Sequence, residues 1–110
     1  MTNELWRLDA CEVTDGIRKR SFSSREVVSA CLQRFDETNE QINALTEIRA
    51  EEALAAADRA DAAMNAGEQT GALHGVPVII KGNVDVAGWA SVNGCVAFKD
   101  NIAKENSPCV

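Results

Sequence analysis

Val76-Pro77-Val78-Ile79-Ile80 is a short apolar run rich in β-branched residues, and it is followed directly by Lys81 and then Gly82-Asn83. The run reads as a buried strand, with Pro77 near its start, where a missing amide donor is tolerated. Strand ends in α/β sheets are where sites form. A lysine at such an exit is partly desolvated, which favours its neutral form and suits it to act as a base. On residue types alone a second reading stands beside this one and is the commoner outcome: Lys81 simply marks the strand's exit into solvent.

Other side chains with reactive chemistry lack the companions they would need. His74, the only histidine, has no nucleophile motif beside it and reads as a loop packing residue. Asp85 either orients the lysine loop or caps a turn. Cys11, Cys31, Cys95 and Cys109 show no close CxxC pair, so no zinc site is expected and no cofactor is implied. Cys95 and Cys109 have no nearby histidine and read as buried thiols. Lys81 is not a phosphate-loop lysine, because the G-K-[ST] ending is missing.

The elements that must position Lys81 lie upstream. Asn3 to Lys19 reads as a helix, with Trp6, Ala10, Val13 and Ile17 on one face, Leu5 widening the stripe and Gly16 weakening the last turn. Ser23-Ser24-Arg25-Glu26 is a capping box, with Phe22 and Val27 placed as a hydrophobic staple. Val28, Cys31, Leu32 and Phe35 form the buried stripe of that second helix, which frays by Asn39. Gln41 to Ile48 alternates enough to suggest a short strand. A third, alanine-rich helix spans about Arg49 to Ala66, with Ala50, Ala53, Ala57, Ala60 and Met64 on one face, an acidic pair in its first turn and Gly67 as its stop. Gly88, Asn93 and Gly94 mark later turns, and Pro108 breaks the last segment.

A net charge of -6 over 110 residues excludes the basic clusters that nucleic-acid binding needs; Arg18-Lys19-Arg20 reads as a solvated helix end. Met1 to Ala10 carries Glu4 and Asp9 where a signal peptide would have a basic region and an apolar run, and no apolar stretch is long enough to cross a bilayer. No membrane partner and a reducing, cytoplasmic setting with free thiols are expected.

The stretch Gly71-Ala72-Leu73-His74-Gly75-Val76-Pro77-Val78-Ile79-Ile80-Lys81-Gly82-Asn83 resembles the segment around the catalytic lysine of the amidase-signature family, written G-P-L-x-G-V-P-x-x-x-K-D-N. Ser24 to Val28, Ile42-Asn43-Ala44, Gly88 with Ser91-Val92-Asn93-Gly94, and Ala103 to Val110 extend the resemblance over essentially the whole chain. It implies an α/β fold, a mixed sheet flanked by helices, of which 1–110 would be the N-terminal fragment of an amidase domain, mainly helices plus one or two strands. It also implies a Ser–cis-Ser–Lys triad that cleaves a carboxamide C–N bond through an acyl-serine. Lys81 matches the catalytic lysine. None of Ser21, Ser23, Ser24, Ser29, Ser91 and Ser107 matches either serine, both of which follow later in the family.

Three departures bear on the substrate class: Gly82 stands for the usual aspartate, Val92 for one of two threonines, and Cys95 where serine is common. The partner implied is a small-molecule amide in the complete enzyme. The 110 residues alone are expected to be inactive and to self-associate or form a homo-oligomer through an open strand edge. A non-catalytic or truncated interaction fragment, and part of the amidase-like subunit of a tRNA-dependent amidotransferase, are the alternatives.

Overall fold

A computed structural model describes residues 2–110; Met1, where the segment weighed as a targeting peptide begins, lies outside the described residues. The chain divides after Pro77 into two compact units. The first holds a 3₁₀ turn, Thr2–Arg7, and the α-helices α1 (Ala10–Arg18), α2 (Ser24–Ile42) and α3 (Ala50–Asn65). The second, Val78–Val110, has a single 3₁₀ turn, Val96–Phe98, and one isolated antiparallel bridge between Ala90 and Ile102.

The first expected helix is broken in two. Asp9 accepts from the Glu12 amide (2.8 Å) and the Glu12 carboxylate accepts from the Asp9 amide (2.9 Å), so a capping box restarts the chain as α1. The residues before it tighten into 3₁₀ geometry. Val13 and Ile17 are buried as their spacing predicts, whereas Ala10 is exposed and Trp6 half-buried. Trp6 instead stacks with guanidinium groups, Arg34 at 4.5 Å and Arg7 at 5.1 Å from its ring centre. Gly16 does more than loosen a turn. A Cβ there would meet the Phe22 ring at 1.9 Å, so its bare backbone is what lets that ring lie over α1.

The second capping box forms as read: the Glu26 amide donates to Ser23 Oγ (3.1 Å) and the Ser23 amide to the Glu26 carboxylate (2.8 Å). Helix α2 does not fray at Asn39. It continues to Ile42 and ends on Asn43 in the left-handed region at φ 47°. Asn39 ties the exit down, accepting from the amides of Ala44 (3.1 Å) and Leu45 (2.9 Å) and donating to the Leu45 carbonyl (3.0 Å). Those bonds take the place of the strand expected within Gln41 to Ile48. Helix α3 closes with paired bonds from Gly67 to the Met64 carbonyl and from Glu68 to the Ala63 carbonyl, the Schellman pattern that satisfies its last carbonyls.

Val13, Ile17 and Val27 form the core, with Leu5, Leu8, Phe22, Cys31, Met64 and Val76 packed around them. Helix α2 packs on the 3₁₀ turn and on α3, and Ala57, on the small-residue face of α3, is buried. Burial pushes the Cys31 thiol up from its ordinary range. Cys95 and Cys109, expected to be buried, are exposed, as is Cys11, and all four thiols are free.

Asp61 is the residue that joins α3 to α2. Its two carboxylate oxygens accept from the amides of Ser24 (2.7 Å) and Arg25 (3.0 Å), the first residues of α2. These donors have no partner within the helix, and negative charge is favoured at that end. Asp61→Ala is expected to lower stability by about 1–2 kcal/mol, read as a lower midpoint in urea unfolding. Asp58→Ala, which removes only the exposed Arg25–Asp58 pair, should cost less than about 1 kcal/mol. Equal losses in the two variants would deny Asp61 this role.

No strand forms among the described residues. Val78, Ile79 and Ile80, expected as a buried strand, are 69%, 74% and 40% exposed. Strand geometry needs a neighbour for its amides and carbonyls, and no described segment lies beside this one in a ladder. The described chain is therefore helical, with loops in its second unit.

Candidate active site

The glycine-rich segment ahead of Lys81 is held by side chains or carbonyls from all three helices. Thr14 on α1 donates to the Ala72 carbonyl (3.3 Å), and Ser24, buried at the start of α2, donates to the Gly75 carbonyl (2.7 Å). His74 Nε2 lies 2.8 Å from the Ala60 carbonyl of α3. A carbonyl only accepts, so Nε2 carries the proton there. This makes His74 a packing residue of the loop. Gly75 sits at φ 79°, and a Cβ on it would come within 3.0 Å of Ile17 Cδ1 and 3.1 Å of Ser24 Cβ. Val76 then packs against the core. The first unit ends there, with the motif's Gly71–Pro77 portion fixed on it.

In the second unit Lys81 is exposed, and it opens a tight turn in which the Val84 amide donates to the Lys81 carbonyl (2.9 Å). The burial expected of a strand-exit lysine is not found, and Val78 to Ile80 are themselves exposed. Among the described residues no hydrogen bond or ion pair engages its ammonium. Gly82 faces open space, with nothing within 4 Å of a Cβ placed there.

Asp85 is bound in three ways just past this turn. Its carboxylate accepts from the hydroxyl of Ser91, which is 6% exposed. Its amide donates to Ser107 Oγ (3.0 Å), and its carbonyl accepts from the Ser107 amide (2.9 Å). The contacts continue along the pair of segments: Ala87 donates to Asn106 Oδ1 (2.7 Å), Gly88 to the Ala103 carbonyl (2.9 Å) and Ser91 to the Asn101 carbonyl (2.8 Å). Asn93 and Gly94, both at positive φ, turn the chain between them. The sequence places Asp85 at an orienting or turn-capping position but does not disclose its partners. Ser107 is 22 residues away, and no local pattern signals a bond across that separation.

Among the described residues, no group of three His, Cys, Asp or Glu side chains could hold a metal ion. Two surface clefts, of about 300 and 250 Å³, lie in the first unit, and neither is lined by residues 71–85.

A glycine-rich segment bound down by helices and leading into a lysine-bearing turn is a feature of motif size, and comparison with known proteins identifies whose motif it is. The sequence pattern of the family described as Amidase matches residues 26–110, and the chain belongs to the amidase family. It is 40% identical over 106 residues to an indoleacetamide hydrolase of Bradyrhizobium diazoefficiens, covering 96% of this chain and 20% of the relative. It is 34% identical over 103 residues to an acylamidase of Rhodococcus erythropolis (94% and 22%). It is also 40% identical over 83 residues to one of the subunits of a glutamyl-tRNA(Gln) amidotransferase of Clostridium acetobutylicum (76% and 17%). The chain thus spans about a fifth of the length of these curated relatives. No helix among the described residues is long and apolar enough to cross a membrane.

Proposed function

We propose that these 110 residues are the N-terminal part of an amidase domain and supply its catalytic base, Lys81, for hydrolysis of a small carboxamide, in a cytoplasmic enzyme. In this reading the neutral lysine takes the proton of a serine nucleophile through a second serine, both contributed by other parts of the domain. The nucleophile attacks the amide carbonyl, the C–N bond breaks with release of ammonia or an amine, and water hydrolyses the acyl-serine. The observation that carries the proposal is the position of Lys81. It stands inside the family-matched region, four residues past an anchored Gly75-Val76-Pro77, on a turn where no hydrogen bond or ion pair among the described residues engages its ammonium. A group that must shuttle protons has to be free to meet its partner.

In the complete domain we take Val76–Ile80 to be one strand of a mixed sheet flanked by helices. The exposed side chains of Val78, Ile79 and Ile80, which join no ladder among the described residues, are what a sheet neighbour would cover.

The test is ammonia release from simple carboxamides. The complete enzyme should release ammonia, and purified residues 1–110 should release none, because a base without a nucleophile forms no acyl-enzyme. Hydrolysis by the 110 residues alone, abolished by Lys81→Ala, would overturn this division of labour. The relative named as part of an amidotransferase favours a second reading, in which the released ammonia passes to an acyl-tRNA on a partner complex. Ammonia release from glutamine that depends on added partner proteins would select it.

A further inference from the structure

We infer that Asp85 and Ser91 are positioning residues for Lys81: their hydrogen bond, with the reciprocal Asp85–Ser107 pair, clasps the downstream end of the lysine turn. This rests on Lys81 being the base. On the upstream side of the turn Val78, Ile79 and Ile80 are exposed and make no ladder, and Gly82 has no side chain to contribute. Lys81 to Val84 is closed by one backbone bond. Among the described residues, the first residue after it, Asp85, carries the bonds that connect this turn to another segment: backbone to Ser107 in both directions and carboxylate to the buried Ser91 hydroxyl.

Ser91 is in turn fixed by its own amide on the Asn101 carbonyl and by Asn101 Nδ2, which donates to the Ser91 carbonyl (3.0 Å). The chain of bonds runs from the Asn101–Ser107 segment to Ser91, to Asp85 and so to the turn. What the clasp requires of Asp85 is an acceptor oxygen, which asparagine also has.

Amide exchange resolved to single residues, kcat and KM are all measured in the complete enzyme, for Ser91→Ala, Asp85→Ala and Asp85→Asn. Ser91→Ala and Asp85→Ala are expected to raise exchange at the Val84 amide by roughly fivefold, the loss of one ordinary hydrogen bond, and to leave α2 amides unchanged. In the complete enzyme both should lower kcat by about 10- to 100-fold with KM little altered, as a displaced catalytic group does. Asp85→Asn should restore both quantities to near the wild-type values. Exchange at Val84 that ignores these substitutions would overturn the inference. So would an unchanged kcat in Ser91→Ala, or an Asp85→Asn variant as impaired as Asp85→Ala, which would mean that the carboxylate acts through its charge. Lys81→Ala with full activity would instead refute the proposed function and leave the exchange result standing.

Discussion

Lys81→Ala in the complete enzyme is expected to lower kcat/KM by about 10³-fold or more while leaving the folding free energy within about 0.5 kcal/mol of wild type. A positioned general base contributes roughly 10²–10⁴-fold, and members of a coupled nucleophile–base set cost more when removed than a lone base. The small effect on stability follows from the structure. Lys81 is exposed and makes no side-chain bond among the described residues, and substitutions at such sites are usually near neutral. Kinetics set beside thermal unfolding separate the two effects. A variant that loses activity only because it unfolds would place Lys81 among the structural residues. Near-normal turnover would remove it from the mechanism.

Gly75→Ala is expected to destabilise the first unit by about 2–3 kcal/mol, from the cost of a left-handed non-glycine backbone and the overpacking of an already filled site. The new methyl would sit 3.0 Å from Ile17 Cδ1 and 3.1 Å from Ser24 Cβ. Ile17 is a core residue and Ser24 is fixed in the first turn of α2 by Asp61 and by its bond to the Gly75 carbonyl. Neither can give way without cost. For a chain of this size the loss corresponds to a drop in Tm of roughly 10 °C or more. Gly71→Ala is the control, because nothing lies within 4 Å of that position and its φ is not in the left-handed region. Differential scanning calorimetry of the two variants should show a large fall for the first and almost none for the second. Equal falls would show that the Gly75 contact does not set the stability of the motif.

The parts of the fold legible in the sequence were those specified locally. Ser23 and Glu26 are three residues apart and declare their own helix start, and Gly67 ends α3 through bonds to the residues just before it. The Asp9–Glu12 box has the same spacing and was equally readable. It was hidden by an apolar stripe that runs across the helix break. What escaped were bonds between distant residues: Asp61 to the start of α2, Thr14 to Ala72, and Ser107 to Asp85. A run of β-branched residues specifies the tendency to be a strand but not the neighbour that makes it one. For that reason Val76–Ile80 departs from expectation among the described residues. Lys81 was singled out by a motif, Gly75-Val76-Pro77 with a lysine four residues on, rather than by an environment. The burial inferred for it belonged to the strand, and Lys81 is exposed.

The most direct test of the central claim is the acylation step in the complete enzyme, followed by quench-flow and intact-mass analysis with an amide that leaves a heavy acyl group. With Lys81 present, an acyl-enzyme should accumulate within a turnover and then decay with release of the acid. With Lys81→Ala, acylation should slow by about 10³-fold or more, while substrate binding, measured separately, stays within a few-fold of wild type. An acyl-enzyme that forms at the wild-type rate in Lys81→Ala would contradict the assignment of Lys81 as the base.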